Sequence, residues 1–156
     1  MLMAKKYKLK EATVRLVLKD GKTALYNAEP ITNPSRAIDV VIDFLKKLDR
    51  EHLVTVNMDN EKKPINYHIV SIGNINTSIA DIGNIFKAAL LSNANAIILL
   101  HNHPSGDVTP SGNDLVVTVK VIEAGKLLGV EVLDHIIVGG VNGVYNSLAE
   151  TTQLFN

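Results

Sequence analysis

The chain predicts one α/β (or α+β) domain, and three observations carry that prediction. Short stretches alternate apolar and polar residues as half-buried strands do, apolar stripes at helical spacing fall between them, and the run "AIILL" is apolar throughout, as a strand buried on both faces must be. With 156 residues there is room for one core and no second large domain, and at 46% hydrophobic but only 4% aromatic that core is aliphatic.

"ATVRLVLKDGKTALYN" alternates on both sides of Asp20-Gly21, which predicts a hairpin with that dipeptide in its turn. In "NPSRAIDVVIDFLKKLDRE", Pro34 and Ser35 open a helix whose buried stripe is Ile38, Val41, Phe44, Leu45 and Leu48. "HLVTVNMD" and "INYHIVSIG" flank the polar turn "NEKKP" and predict a second hairpin, with Pro64 starting the returning strand. "TSIADIGNIFKAALLSNA" predicts a second helix, with Ser78 and Asp81 as a capping pair and Ile79, Ile82, Phe86, Ala89 and Leu90 buried. "NAIILLHNH" is the central strand. "SGNDLVVTVKVIEAGKLLG" reads as a helix despite its β-branched residues, because Ser111 can cap its start and Gly129 can end it. "VEVLDHIIVGG" is a further strand, and "GVYNSLAETTQLFN" a short strand or turn followed by a tail.

Lys and Arg number 16 and Asp and Glu also 16, so no overall field draws the chain to DNA or to an anionic membrane. The absence of cysteine excludes disulfides, thiolate metal sites and a cysteine nucleophile; any metal must use His, Asp or Glu. "MLMAKKYKLK" is basic but no apolar segment of signal-peptide length follows it, and no run approaches the ~20 residues that span a bilayer. The expectation is a cytoplasmic protein without a membrane partner. "KKYKLK" reads as a solvated terminus before it reads as a phosphate-binding arm.

The chemistry concentrates in "HNHPSGDVTPSGND", residues 101–114, at the exit of the central strand. His101 and His103 leave the same face of an extended segment, roughly 7 Å apart at the backbone, so two imidazoles can converge on one ion. Neutral imidazole suits Zn²⁺, which in catalytic sites takes three protein ligands and keeps a fourth position for water. Pro104, Gly106 and Pro110 can reverse the chain, and Asp114 in the first turn of the next helix can swing back to the histidines. Taken singly, Asp114 is equally part of a capping box with Ser111, and a lone strand-end histidine is ordinarily structural.

The spacing His101-x-His103-Pro104, then Ser111-x-x-Asp114, resembles the signature of the JAMM (JAB/MPN/Mov34) metalloproteases, and "HNHPSGDVTPSGND" resembles its bacterial RadC-like branch. "AALLSNANAIILL" before the motif and "VIEAGKLLGVEVLDHIIVGG" after it extend the resemblance over residues 88–140. It implies a cytidine-deaminase-like fold, a mixed central β-sheet flanked by helices, with the motif-bearing core at residues 33–148. It implies His101, His103 and Asp114 as Zn²⁺ ligands, and Ser111 as stabiliser of the oxyanion of a tetrahedral intermediate, although the same hydroxyl can cap the helix. It further implies a glutamate at a strand head as general base: Glu51 is the candidate, with Glu61 in the hairpin turn as fallback. The implied function is zinc-dependent hydrolysis of peptide or isopeptide bonds in a peptide or protein substrate.

His135 reads as a core or edge histidine with an ordinary hydrogen bond before it reads as support for a ligand, and His52 and His68 read as incidental. Asp107 is explained by turn chemistry. RadC relatives carry a helix-hairpin-helix segment ahead of this domain and a DNA-repair label; the first fifty residues here read instead as a strand hairpin and one helix. A stand-alone domain is therefore expected, with a DNA-associated module as the alternative function.

Overall fold

The computed structural model describes residues 10–21, 29–73, 81–140 and 143–156. In chain order the elements are α1 (Pro34–Leu45), β1 (His52–Met58), β2 (Pro64–Ile72), α2 (Ile82–Leu91), β3 (Ala96–His103), α3 (Gly112–Leu128), β4 (Glu131–Gly139), β5 (Val144–Ser147) and α4 (Leu148–Thr151). The strands form one mixed sheet in the order β2-β1-β3-β4-β5, in which β3 and β4 run parallel and every other neighbouring pair is antiparallel. α3 is the crossover that two parallel neighbours require.

Helices cover both faces. Ala37, Ile38, Val41, Phe44 and Leu45 of α1 pack on Val54, Val56, Ile98, Leu100, Ile136 and Val138. On the opposite face Ile85, Phe86 and Ala89 of α2 and Val117 and Val121 of α3 pack on Leu53, Ile97 and Leu99. The two sets alternate along β3, so the continuous run "AIILL" serves two cores at once and is buried on both faces as its sequence predicts.

Local chemistry sets the helix ends. Asn33 caps α1, its side chain accepting from the Arg36 amide, with Pro34 at the first turn. Asp81 caps α2 by accepting from Gly83 N. α3 is closed by a capping box at Ser111 and Asp114 and ended by Gly129, whose φ of 70° is the left-handed conformation that glycine adopts without strain.

Three expectations are corrected. Residues 10–21, the first half of the predicted Asp20-Gly21 hairpin, carry no strand, and Val14, Val17 and Leu18 are exposed; residues 22–28 lie outside the described residues. Alternation alone does not make a strand, and among the described residues none forms a ladder with this segment. Leu90 is 46% exposed, because α2 turns Ile85 and Ala88 inward instead; Ser78 and Ile79 lie outside the described residues. α1 stops at Leu45, so Leu48 meets the core from the segment after the helix. Most of "KKYKLK" also lies outside the described residues. Among the described residues, no helix is long and apolar enough to cross a membrane.

Candidate metal centre

The two-residue period of β3 builds the site. Ile97 and Leu99 face α2 and α3, and His101 and His103 continue the same series past the edge of the apolar core. The carboxyl end of a strand in an α/β sheet is where such folds open a crevice. The loop then turns at Pro104 and Gly106, the latter at φ 86°, and lies so close to β4 that a Cβ on Gly139 would fall 2.6 Å from the Gly106 carbonyl oxygen. Asn146 Nδ2 donates to the Val108 carbonyl at 3.2 Å and ties the loop to β5. This tight return delivers the first turn of α3 to the histidines.

Asp114 meets them while also capping its helix. Its Oδ2 accepts from Ser111 N at 2.7 Å and from Ser111 Oγ at 2.6 Å, and Ser111 Oγ accepts from Asp114 N at 3.1 Å. Its Oδ1 lies 3.5 Å from His101 Nε2, and Oδ2 lies 3.9 Å from His103 Nε2. The two readings of Asp114, cap and ligand, are thus compatible: one oxygen serves the box and the other faces His101. The Ser111 hydroxyl is engaged in the cap.

His101 is fully buried and Asp114 is 2% exposed. His101 Nε2 and His103 Nε2 stand 2.7 Å apart, with one donor atom from each of His101, His103 and Asp114 falling within 4.8 Å of the others. Atoms that share a tetrahedral Zn²⁺ at about 2.0–2.1 Å lie roughly 3.3 Å from one another, a spacing that the 2.7 Å between the two Nε2 atoms and the 3.5 Å from His101 Nε2 to Asp114 Oδ1 bracket. The chemistry of the donors agrees. His103 Nδ1 donates to the Asp107 carbonyl at 2.6 Å, so in the neutral ring its Nε2 carries the lone pair. Burial, followed by the neighbouring His135, holds the pKa of His101 well below its ordinary value, which favours the neutral ring that a metal requires.

Sequence reasoning passed over three residues here. His135, set aside as an ordinary strand histidine, is fully buried with Nε2 2.9 Å from His101 Nδ1, and its pKa is lowered to about 4 by burial and then by His103. Its Nδ1 meets Thr118 Oγ1 at 2.6 Å. Asn102, between the two histidines, faces the other way: its Nδ2 donates to Arg50 O at 3.0 Å and its Oδ1 accepts from His52 N at 2.8 Å, which brackets Glu51. The signal was present in both cases, a histidine and an amide at fixed places on strands, but their partners lie 34 and about 50 positions away in sequence.

Glu51 stands just ahead of β1. Leu53 pairs with His101, and carrying that antiparallel register two residues further sets Glu51 across from His103. Its carbonyl also accepts from Gly73 N at 2.7 Å. Glu51, His103, Ser105, Asp107, Thr109, Ser111, Asn113 and Asp114 line one cavity of about 340 Å³. The fallback, Glu61, sits in the β1–β2 turn beyond Met58, which pairs with Ala96 at the opposite end of β3, and there it forms an ion pair with Lys63. The topology therefore brings Glu51, and not Glu61, to the histidines. Asp107 does hold its turn, accepting from Thr109 N at 2.9 Å, while its carbonyl is what orients His103.

Comparison with known proteins gives the family of the chain. The family model described as the RadC-like JAB domain matches residues 31–154. A UPF0758 protein of Moorella thermoacetica is 43% identical over 124 residues, 80% of this chain and 53% of its own. One from Chloroflexus aggregans is 39% identical over 145 residues, 90% of this chain and 62% of its own. One from Staphylococcus aureus is 42% identical over 130 residues, 83% and 56% of the two chains. The chain spans little more than half the length of these relatives, and their names state no reaction. A match over most of the chain, on a mixed sheet with helices on both faces and a His-x-His-Pro strand exit, places this protein in the RadC-like JAB domain family.

Proposed function

We propose that this domain is a zinc-dependent hydrolase of peptide or isopeptide bonds. One observation carries the reading: His101, His103 and Asp114 each bring a donor atom within 4.8 Å of the others, beside a cavity that His103, Asp114 and Glu51 line together. His101, His103 and Asp114 would hold the ion, which when bound supplies a Lewis acid and a water of lowered pKa. The chain's own residues would do the rest. Glu51, held at the strand head by the backbone bonds on either side of it, takes a proton from the attacking water and returns it to the leaving amine. Ser111 lines the same cavity, and its hydroxyl, which donates to Asp114 Oδ2 within the cap, would turn that proton to the oxygen on which charge develops.

The cavity lining also bears on the substrate class. Among the described residues it carries the carboxyl groups of Glu51, Asp107 and Asp114 and no lysine or arginine, so a seated divalent ion still leaves it formally negative. A phosphate backbone would be repelled, whereas a neutral amide or a cationic peptide would not. This favours a polypeptide in the cleft over nucleic acid. A cytoplasmic setting belongs to the same proposal.

Metal analysis of the purified chain tests it. One equivalent of zinc is expected in the native protein, and none after His101→Ala with His103→Ala. Glu51→Gln is expected to keep the ion and to lose hydrolysis of a panel of peptide and isopeptide-linked substrates. Absence of zinc, or its retention in the double variant, would overturn the metal reading; hydrolysis surviving in Glu51→Gln would remove Glu51 from its role.

A further inference from the structure

The proton on His101 is ordered by groups that lie beneath the site. The Asp114 carbonyl oxygen can only accept, and Thr118 Oγ1 donates to it at 2.6 Å. With its proton so used, Thr118 Oγ1 meets His135 Nδ1 at 2.6 Å as an acceptor, so His135 carries its proton on Nδ1. His135 Nε2 then offers a lone pair to His101 Nδ1 at 2.9 Å, which must donate. Every step is forced by the one before it, and the last leaves the lone pair of His101 on Nε2, facing His103 Nε2 and Asp114 Oδ1. The chain begins and ends on candidate ligands, running from Asp114 through Thr118 and His135 to His101.

A distortion of the sheet makes this contact possible. β4 holds one extra residue, Leu133, between the pairing of Val132 with Ile97 and that of Asp134 with Ile98. Without the bulge His135 would pair with Leu100 and share the α1 face; with it, His135 pairs with Leu99 and joins the face that carries His101. Bulges are uncommon in parallel pairs, and re-aiming a side chain is one of their uses. The same shift brings Asp134 to where its Oδ2 accepts from Ser147 Oγ at 2.6 Å and its Oδ1 from Ala149 N at 3.0 Å, which fastens the bulged strand to α4.

We infer that His135 and Thr118 are positioning residues of the metal centre, fixing His101 in the tautomer that presents Nε2 to a divalent cation of the zinc type. This rests on the metal reading given above. Removal of such an outer partner typically costs 10–100-fold in metal affinity.

The test uses zinc affinity, by competition with a chromophoric chelator, together with ¹⁵N NMR of the histidine rings in the full chain. Thr118→Val and His135→Phe should each weaken zinc binding by roughly 10–100-fold, while Thr118→Ser restores it, with amide spectra showing all variants folded. In the metal-free native chain His135 should carry its proton on Nδ1. Native affinity in Thr118→Val, no rescue by serine, or a proton on Nε2 of His135 would each overturn the inference. Failure of the native chain to bind zinc would instead remove the metal reading, and the His135 tautomer would still decide whether the chain of bonds exists.

Discussion

Asn102 occupies the one position of the His-Asn-His triplet that points away from the candidate metal site, and its work is on the backbone. Its amide holds Arg50 O and His52 N, so the strand that carries the ligands also fixes the segment that carries Glu51. Asn102→Ala leaves a buried N–H and C=O unpaired, which should cost about 1–3 kcal/mol in denaturant unfolding. Amide exchange at His52 should accelerate while zinc stoichiometry is unchanged; unaltered exchange would show that Asn102 does not hold this segment. At Ser111 the cap and the chemistry can be separated, because glycine replaces a capping serine at a cost of only a few tenths of a kcal/mol. Ser111→Gly should therefore stay near native stability and yet lose about 10²-fold in hydrolysis if the hydroxyl serves the developing oxyanion. Native turnover would confine Ser111 to its cap.

α3 shows how elements are specified against their local propensity. Val116, Val117, Thr118, Val119, Val121 and Ile122 disfavour a helix, yet the capping box at one end and Gly129 at the other define it, and Val117 and Val121 bury it in the core it shares with α2 and the sheet. Those end signals are sequence-local, which is why the helix was legible; the same holds for the strand run of β3 and for the histidine spacing. The bulge at Leu133 was not legible, because it exists only in the pairing of β4 with β3, and with it went the role of His135. The strand reading of residues 10–21 failed for the converse reason, local alternation without a ladder partner among the described residues. Gly125 offers a test in which packing and propensity oppose. Alanine is favoured over glycine inside a helix by about 0.8–1 kcal/mol, but a Cβ there would lie 2.5 Å from the Val130 carbonyl oxygen and 2.8 Å from Val132 Cγ2. Overpacking of that kind costs about 1–3 kcal/mol, so Gly125→Ala should lower stability by roughly 1–2 kcal/mol in urea unfolding. A stabilised variant would show that the α3 to β4 turn gives way easily.

For the molecule as a whole, the question is whether a bound ion would build the fold or be seated by it. Two apolar cores, one under α1 and one under α2 and α3, close the sheet on both faces without His101, His103 or Asp114, and the candidate site stands at the exit of β3 where the second core ends. The capping box of Ser111 and Asp114 and the bond from His103 to Asp107 likewise pair without an ion. The metal-free chain should therefore remain folded, unlike small domains whose structure depends on zinc. An ion that binds only the folded state adds RT ln(1 + [L]/Kd), about 2.7 kcal/mol at a hundredfold excess over Kd. For a domain of this size each kcal/mol moves the midpoint by about 2–4 °C, so zinc should raise Tm by roughly 5–10 °C. Chelation should reverse that rise and leave the far-ultraviolet circular dichroism intact at room temperature. His101→Ala should keep the fold and show no zinc-dependent rise. Cooperative loss of secondary structure on chelation would instead make the ion a structural one, on which the hydrophobic cores themselves depend.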